Sequence, residues 1–204
     1  MLNMTQLCGF GGGLREDISF VGYATVDGGS SITYPAGTRN GDFLVLHGVN
    51  TSGAMPVPSG FTSQASYSWG LGYGTLIATK VVSGDTSVSV TVGVGFGFLS
   101  VWRNVSSVGT VGSFVDNNFA TITVPGITTI GTKSIVLANI ADRDVTIPNL
   151  LSGGWTSNGS MGATNFGVRM ANITINAPGT SGGCDFGQNT TSYNSVGIML
   201  ELRN

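Results

Sequence analysis

The chain has 204 residues, of which only 9% are charged, against about 25% in an ordinary soluble domain. Its 8 basic and 10 acidic residues give a net charge of −2 and a pI of about 5.1, which excludes a basic nucleic-acid binder and a charge-rich disordered chain. Mean hydropathy is +0.27, yet no run approaches the ~18 consecutive apolar residues of a membrane-spanning helix.

Residues 1–17 read M-L-N-M-T-Q-L-C-G-F-G-G-G-L-R-E-D. They lack the basic start and unbroken apolar core of a secretory signal. Leu2, Met4, Leu7 and Phe10 are too apolar for a solvated tail, and Gly11, Gly12 and Gly13 free them to reach away from the rest of the chain. The expectation is an attachment arm that buries these four side chains on another chain. Short runs rich in Val, Ile, Thr and aromatic residues then recur at 18–26, 43–49, 74–82, 99–105, 119–124, 134–140, 166–175 and 196–202, separated by Gly, Pro, Asn, Asp and Ser. Between Ser87 and Phe98 the residues Val88, Val90, Val92, Val94, Phe96 and Phe98 share one parity, as on a strand with one buried face. That run is too long for a common strand, so a turn or bulge is expected at Gly93–Gly97. No window has helical spacing. The fold class is all-β, an antiparallel β-sandwich.

The chain resembles itself. Ser19-Phe20-Val21 returns 94 residues later as Ser113-Phe114-Val115, and Gly60-Phe61-Thr62-Ser63 returns at the same offset as Gly154-Trp155-Thr156-Ser157. Leu44–Val49 answers Ile135–Ile140 at an offset of 91, which sets His47 against Ala138, and Phe98–Asn104 answers Ile198–Asn204 at 100. Two internal repeats, 18–106 and 112–204, are therefore expected to make up the sandwich at 18–204. They either stand in tandem or interleave into one jelly-roll-like double sheet; the short link at 106–112 favours a single compact unit.

Reactive chemistry is sparse. His47 is the one histidine, and its placement on strand parity with Val45 and Val49 suits a structural role. Cys8 and Cys184 form no C-x-x-C pair, so free thiols and a bridge both stay open. Neither a zinc site nor a Ser-His-Asp elbow fits these residues. No metal, cofactor or catalytic residue is expected. Most carboxylates, Asp42 and Asp85 among them, stand in turn contexts, and Asp142-Arg143-Asp144 reads as a solvated turn. Glu201 alone falls inside a strand. Trp102 and Trp155 suit core packing, whereas Trp69 and Tyr73, in a Gly-rich loop, are candidates for an exposed receptor contact.

The stretches F-V-G-Y-A-T (20–25), P-A-G-T-R-N-G-D-F-L-V-L (35–46), P-S-G-F-T-S (58–63) and F-L-S-V-W-R-N-V (98–105) make the chain similar to accessory virion proteins of tailed bacteriophages. The family includes β-sandwich domains of tail fibres, baseplate appendages and head decoration or head-fibre proteins. The opening M-T-Q-L-C-G-F-G-G-G also resembles their attachment arms. The resemblance implies a non-enzymatic structural subunit of the virion, made in the host cytoplasm. Its partners would be other virion proteins and copies of itself in a homo-oligomer such as a trimer, with no nucleic acid. The alternative is a module that binds carbohydrate, such as a host surface glycan, or another host receptor.

Overall fold

Strands alone build the regular structure of residues 16–69, 72–90, 95–112, 115–117, 120–143, 147–163, 166–187 and 194–204, which this computed structural model describes. The chain up to Arg103 supplies β1 (Ser19–Asp27), β2 (Ser31–Thr33), β3 (Phe43–Asn50), β4 (Thr62–Trp69), β5 (Tyr73–Val81), β6 (Ser87–Ser89) and β7 (Phe96–Arg103). The remainder supplies β8 (Ser107–Val111), β9 (Val115–Asn117), β10 (Thr121–Val124), β11 (Thr128–Thr129), β12 (Ser134–Asp142), β13 (Asn149–Leu150), β14 (Thr156–Ala163), β15 (Phe166–Ile175), β16 (Gly179–Thr180), β17 (Cys184–Gly187) and β18 (Ser195–Arg203).

Two antiparallel sheets dominate. The first runs β1-β7-β3-β5-β4, and the second runs β14-β15-β12-β18-β8, with β9 also on β18. Their inner faces share one core. Phe43, Val45, Val49, Phe96, Phe98 and Trp102 from the first sheet meet Leu137, Val168, Met170, Ile198, Leu200 and Leu202 from the second. Each outer face is covered as well. The β2–β6 ribbon lays Ile32 and Val88 over Leu44, Leu46, Leu99 and Val101, and β10 and β17 lay Ile122, Val124 and Phe186 over Val136, Ala138 and Met199. A central strand such as β3 or β12 is thus apolar on both faces, which explains why its sequence is a continuous hydrophobic run. β1 and β7 lie against β14 while β4 lies against β18, so the two sheets stack with these strand orders running the same way and with β3 and β12 in the middle of their sheets.

At one pole Glu16 and Asp17, the C-terminal residues and the link between the sheets converge. Asn104 donates to the Asp17 carbonyl at 2.9 Å, Ser106 N donates to the Arg203 carbonyl at 2.8 Å, Lys133 pairs with Asp17, and Asn204 donates to the Glu16 carbonyl. At the opposite pole Phe166 meets Tyr73, Phe96 and Trp69 with ring centroids 5.4, 5.5 and 6.2 Å apart.

Several expectations change. The strands do not interleave: the first sheet uses only 19–103 and the second only 107–203. The run from Ser87 to Phe98 is not one face of one strand. Val88, on the ribbon itself, and Val90 belong to the outer core, whereas Phe96 and Phe98 belong to the central core. Ser87 and Ser89 do point outward; Thr91, Val92 and Val94 lie outside the described residues. The strand set against Arg203 starts at Ser107, as β1 starts opposite Arg103 at Ser19, so β8 and β9 take the place expected for a strand from Ser113. His47 lies opposite Ile77 and Phe98, and the residue in the matching place, opposite Met170 and Ile198, is Asn139 rather than Ala138. A one-residue slip in a strand exchanges its two faces, and Ala138 indeed faces the outer core.

Candidate functional site

The ionised groups are placed by turns. Asp42 closes the turn before β3, where it accepts Arg39 N at 2.9 Å and both Nε and an Nη of Arg103, each at 2.9 Å. The Arg103 fork also reaches the Gly37 carbonyl at 2.9 Å, tying the end of β7 to two turns. Burial opposes ionisation of Asp42, but the guanidinium and the Arg39 N–H outweigh it and hold the carboxyl below its usual range.

Asp85 occupies the loop between β5 and β6. It accepts from Lys80, from the Tyr34 hydroxyl at 2.5 Å and from Ser83 N at 3.2 Å. Lys80, and then Tyr34, push its pKa strongly down, while burial and then Asp85 push the Tyr34 phenol up. The Lys80 ammonium also lies 5.8 Å from the centre of the Phe61 ring. This group latches the ribbon side of the first sheet.

Glu201 projects from the outer face of β18 and is fully buried. Its carboxylate accepts Thr110 N at 2.9 Å, Ile130 N at 3.1 Å, Gly131 N at 2.9 Å and the Ser134 hydroxyl at 2.7 Å. Burial works against the charge, but these donors prevail and lower the pKa. Glu201 clamps β8 to the turn that follows β11, two segments remote from it in sequence.

Asp142 is buried at the end of β12, where it accepts the Ser195 hydroxyl at 2.9 Å. It does not sit in a solvated turn, because β12 continues through it; Asp144 lies outside the described residues. No group of three His, Cys, Asp or Glu side chains suited to a metal occurs among the described residues. Cys184 is a buried free thiol whose pKa burial raises to about 12, so it is packed as an apolar residue; Cys8 lies outside the described residues.

Trp69 is not an exposed receptor contact. It ends β4 with 2% exposure, and its ring packs on Tyr73 and Phe166 within the shared core. Tyr73 is half-buried beneath the Arg143 guanidinium, 5.2 Å from the ring centre. The β4–β5 hairpin, not a loose loop, brings the two aromatics together. Trp102 and Trp155 are core residues, as their sequence places suggest. Leu2, Met4, Leu7 and Phe10 lie outside the described residues, whose first members, Glu16 and Asp17, are pinned at the pole of the C-terminal residues.

Sequence reasoning gave His47 a structural role but set it against Ala138, and so missed Asn139, the inward residue at the matching place. His47 contacts the Thr75 hydroxyl at 3.1 Å, and burial lowers its pKa to about 3. Asn139 is 1% exposed on the facing sheet. An isolated amide or imidazole within a hydrophobic run was the available signal. No family model, no curated protein and no solved structure matches this chain.

Proposed function

We propose that this chain is a non-enzymatic structural subunit of a bacteriophage virion, a tail appendage, fibre or head decoration protein anchored to neighbouring subunits by residues 1–17. The observation that carries the reading is how the described carboxylates are spent. Asp42, Asp85 and Glu201 each tie turns or strands together instead of converging on a cleft. A scaffold braced internally, with few charges to repel adjacent copies, suits close packing in an assembly.

We further infer that the sandwich arose from two internal repeats, the second beginning near Ser107. Matching strand orders support this, as do bulges between Ser63 and Ala65 and between Ser157 and Gly159 at the same place in β4 and β14. The positive φ of Gly60 (77°) and Gly154 (84°) ahead of those strands adds to it.

Deleting residues 1–13 tests the anchoring role. The truncated chain is expected to keep its β-type circular dichroism and unfolding midpoint but to be lost from purified particles or oligomers. Normal incorporation of the truncated chain would overturn the role and favour a freestanding module for a host glycan.

A further inference from the structure

Among the described residues, His47 and Asn139 bring unmet hydrogen-bonding capacity into the space between the two sheets, as does the Trp69 indole N–H at its edge. His47 and Asn139 are each 1% exposed. His47 Nδ1 and both polar atoms of the Asn139 amide have no partner. Groups buried in this way are ordinarily satisfied by protein or by ordered water.

Their positions match. β3 and β12 are each third in their sheet, and the contacts of β1 and β7 with β14 and of β4 with β18 bracket both strands. His47 is flanked in register by Ile77 and Phe98, and Asn139 by Met170 and Ile198, so both point into the shared core among apolar neighbours.

The Thr75 hydroxyl lies within hydrogen-bond reach of the Gly48 carbonyl at 3.2 Å and of His47 Nε2 at 3.1 Å. With its single hydrogen given to the carbonyl it accepts from His47, the tautomer in which Nε2 carries the proton. The ring is neutral, since burial disfavours the imidazolium, and Nδ1 is left as a bare acceptor. Asn139 offers two N–H donors and one acceptor.

We propose that a buried water molecule bridges His47 Nδ1 and the Asn139 side-chain amide across the centre of the interface between the sheets. Water fits because it can donate to Nδ1 while exchanging a second hydrogen bond with the amide. The two residues carry no charge in this state, so the site is made for a neutral donor–acceptor rather than for an ion. The bridge joins unlike residues from the two sheets and fixes which rows face each other, a keying role that an all-apolar seam would lack.

The single histidine makes the test direct, because in the full-length protein labelled with 15N-histidine only two ring nitrogens report. The expected spectrum has a protonated Nε2 and an unprotonated, hydrogen-bonded Nδ1. Magnetisation should pass from a long-lived water to the Asn139 amide protons. In Asn139→Leu the Nδ1 resonance should move to the position of a non-bonded ring nitrogen while Nε2–H stays. A ring protonated at Nδ1, absence of the water cross-peak, or an Nδ1 resonance indifferent to Asn139→Leu would each overturn the proposal. The first two are read on the unmodified protein and stand even where the variant fails to fold.

Discussion

Glu201 is the residue whose role depends most on distant sequence. It was legible as an acid set within an apolar strand run, although Asp27, Asp116, Asp142 and Asp185 prove to lie in strands too; its partners at Thr110, Ile130, Gly131 and Ser134 lie 67 to 91 residues away, beyond the reach of local pattern. Replacing it with Ala strips three backbone N–H groups of their acceptor. An unmade buried hydrogen bond costs about 1–3 kcal/mol, so Glu201→Ala should lower stability by about 3–5 kcal/mol in urea unfolding, and Glu201→Gln, which keeps one oxygen, by less. His47 sets the pH response. Its pKa is about 3 when folded against 6.5 for the ordinary group, so the unfolded chain binds the extra proton and stability falls as pH drops below about 6.5. The loss at pH 5 is about 2 kcal/mol relative to pH 8. The lowered carboxylates Asp42, Asp85 and Glu201 act in a separate window. Their contribution is present above pH 4 and disappears only as pH falls further, through their folded pKa values. His47→Phe should therefore flatten the unfolding midpoint between pH 6.5 and 4.5 and leave the steeper acid limb below it; an unchanged slope in the upper window would refute the assignment.

Among the elements, legibility follows burial. β3, β5, β12, β15 and β18 announce themselves because both faces are apolar or because β-branched residues fill them. β4 and β14, reading T-S-Q-A-S-Y-S-W and T-S-N-G-S-M-G-A, escape the pattern. They are edge strands, one row of their backbone groups is unpaired, and little apolar area is needed outside the shared core. Gly159 on β14 has its own constraint. A Cβ there would lie 2.8 Å from the Tyr23 ring and 2.9 Å from Phe98, which are themselves stacked at 5.1 Å. Ala65 occupies the corresponding place after the β4 bulge. Gly159→Ala should thus overpack the seam between the sheets by about 1–3 kcal/mol, read as a lower unfolding midpoint. The covering ribbon gives a second test, because Val90 next to it is 1% exposed in the outer core although it stands outside a regular strand. Val90→Asp would bury an unpaired charge and should cost several kcal/mol; an unchanged midpoint would mean that the outer core contributes little.

For the whole molecule, the sequence offers short matches between its halves, but they do not coincide with the register of the strands. Short matches such as Ser19-Phe20-Val21 with Ser113-Phe114-Val115 rest on identity, whereas the sheet aligns strands by which face is buried, and that places Ser107 opposite Arg203. The resulting architecture makes the order of the halves dispensable. Each main sheet is hydrogen-bonded within its own half, and the halves are joined covalently only through Asn104, Val105 and Ser106. The other ends lie at the same pole, since Asn204 donates to the Glu16 carbonyl and Asn104 to the carbonyl of Asp17. Arg203-Asn204 closes β18 as Arg103-Asn104 closes β7. A circular permutant that joins Asn204 to Glu16 through a short Gly-Ser link, and opens the chain between Val105 and Ser106, leaves every strand pairing and all three cores in place. The backbone opened there loses one hydrogen bond at most, Ser106 N to the Arg203 carbonyl, worth about 1 kcal/mol. The permutant is expected to unfold in a single transition within a few degrees of a control that begins at Glu16. If it unfolds in two separated transitions, or fails to bury Trp102 and Trp69 as judged by fluorescence, the link at 104–106 rather than the shared core is what holds the two sheets together.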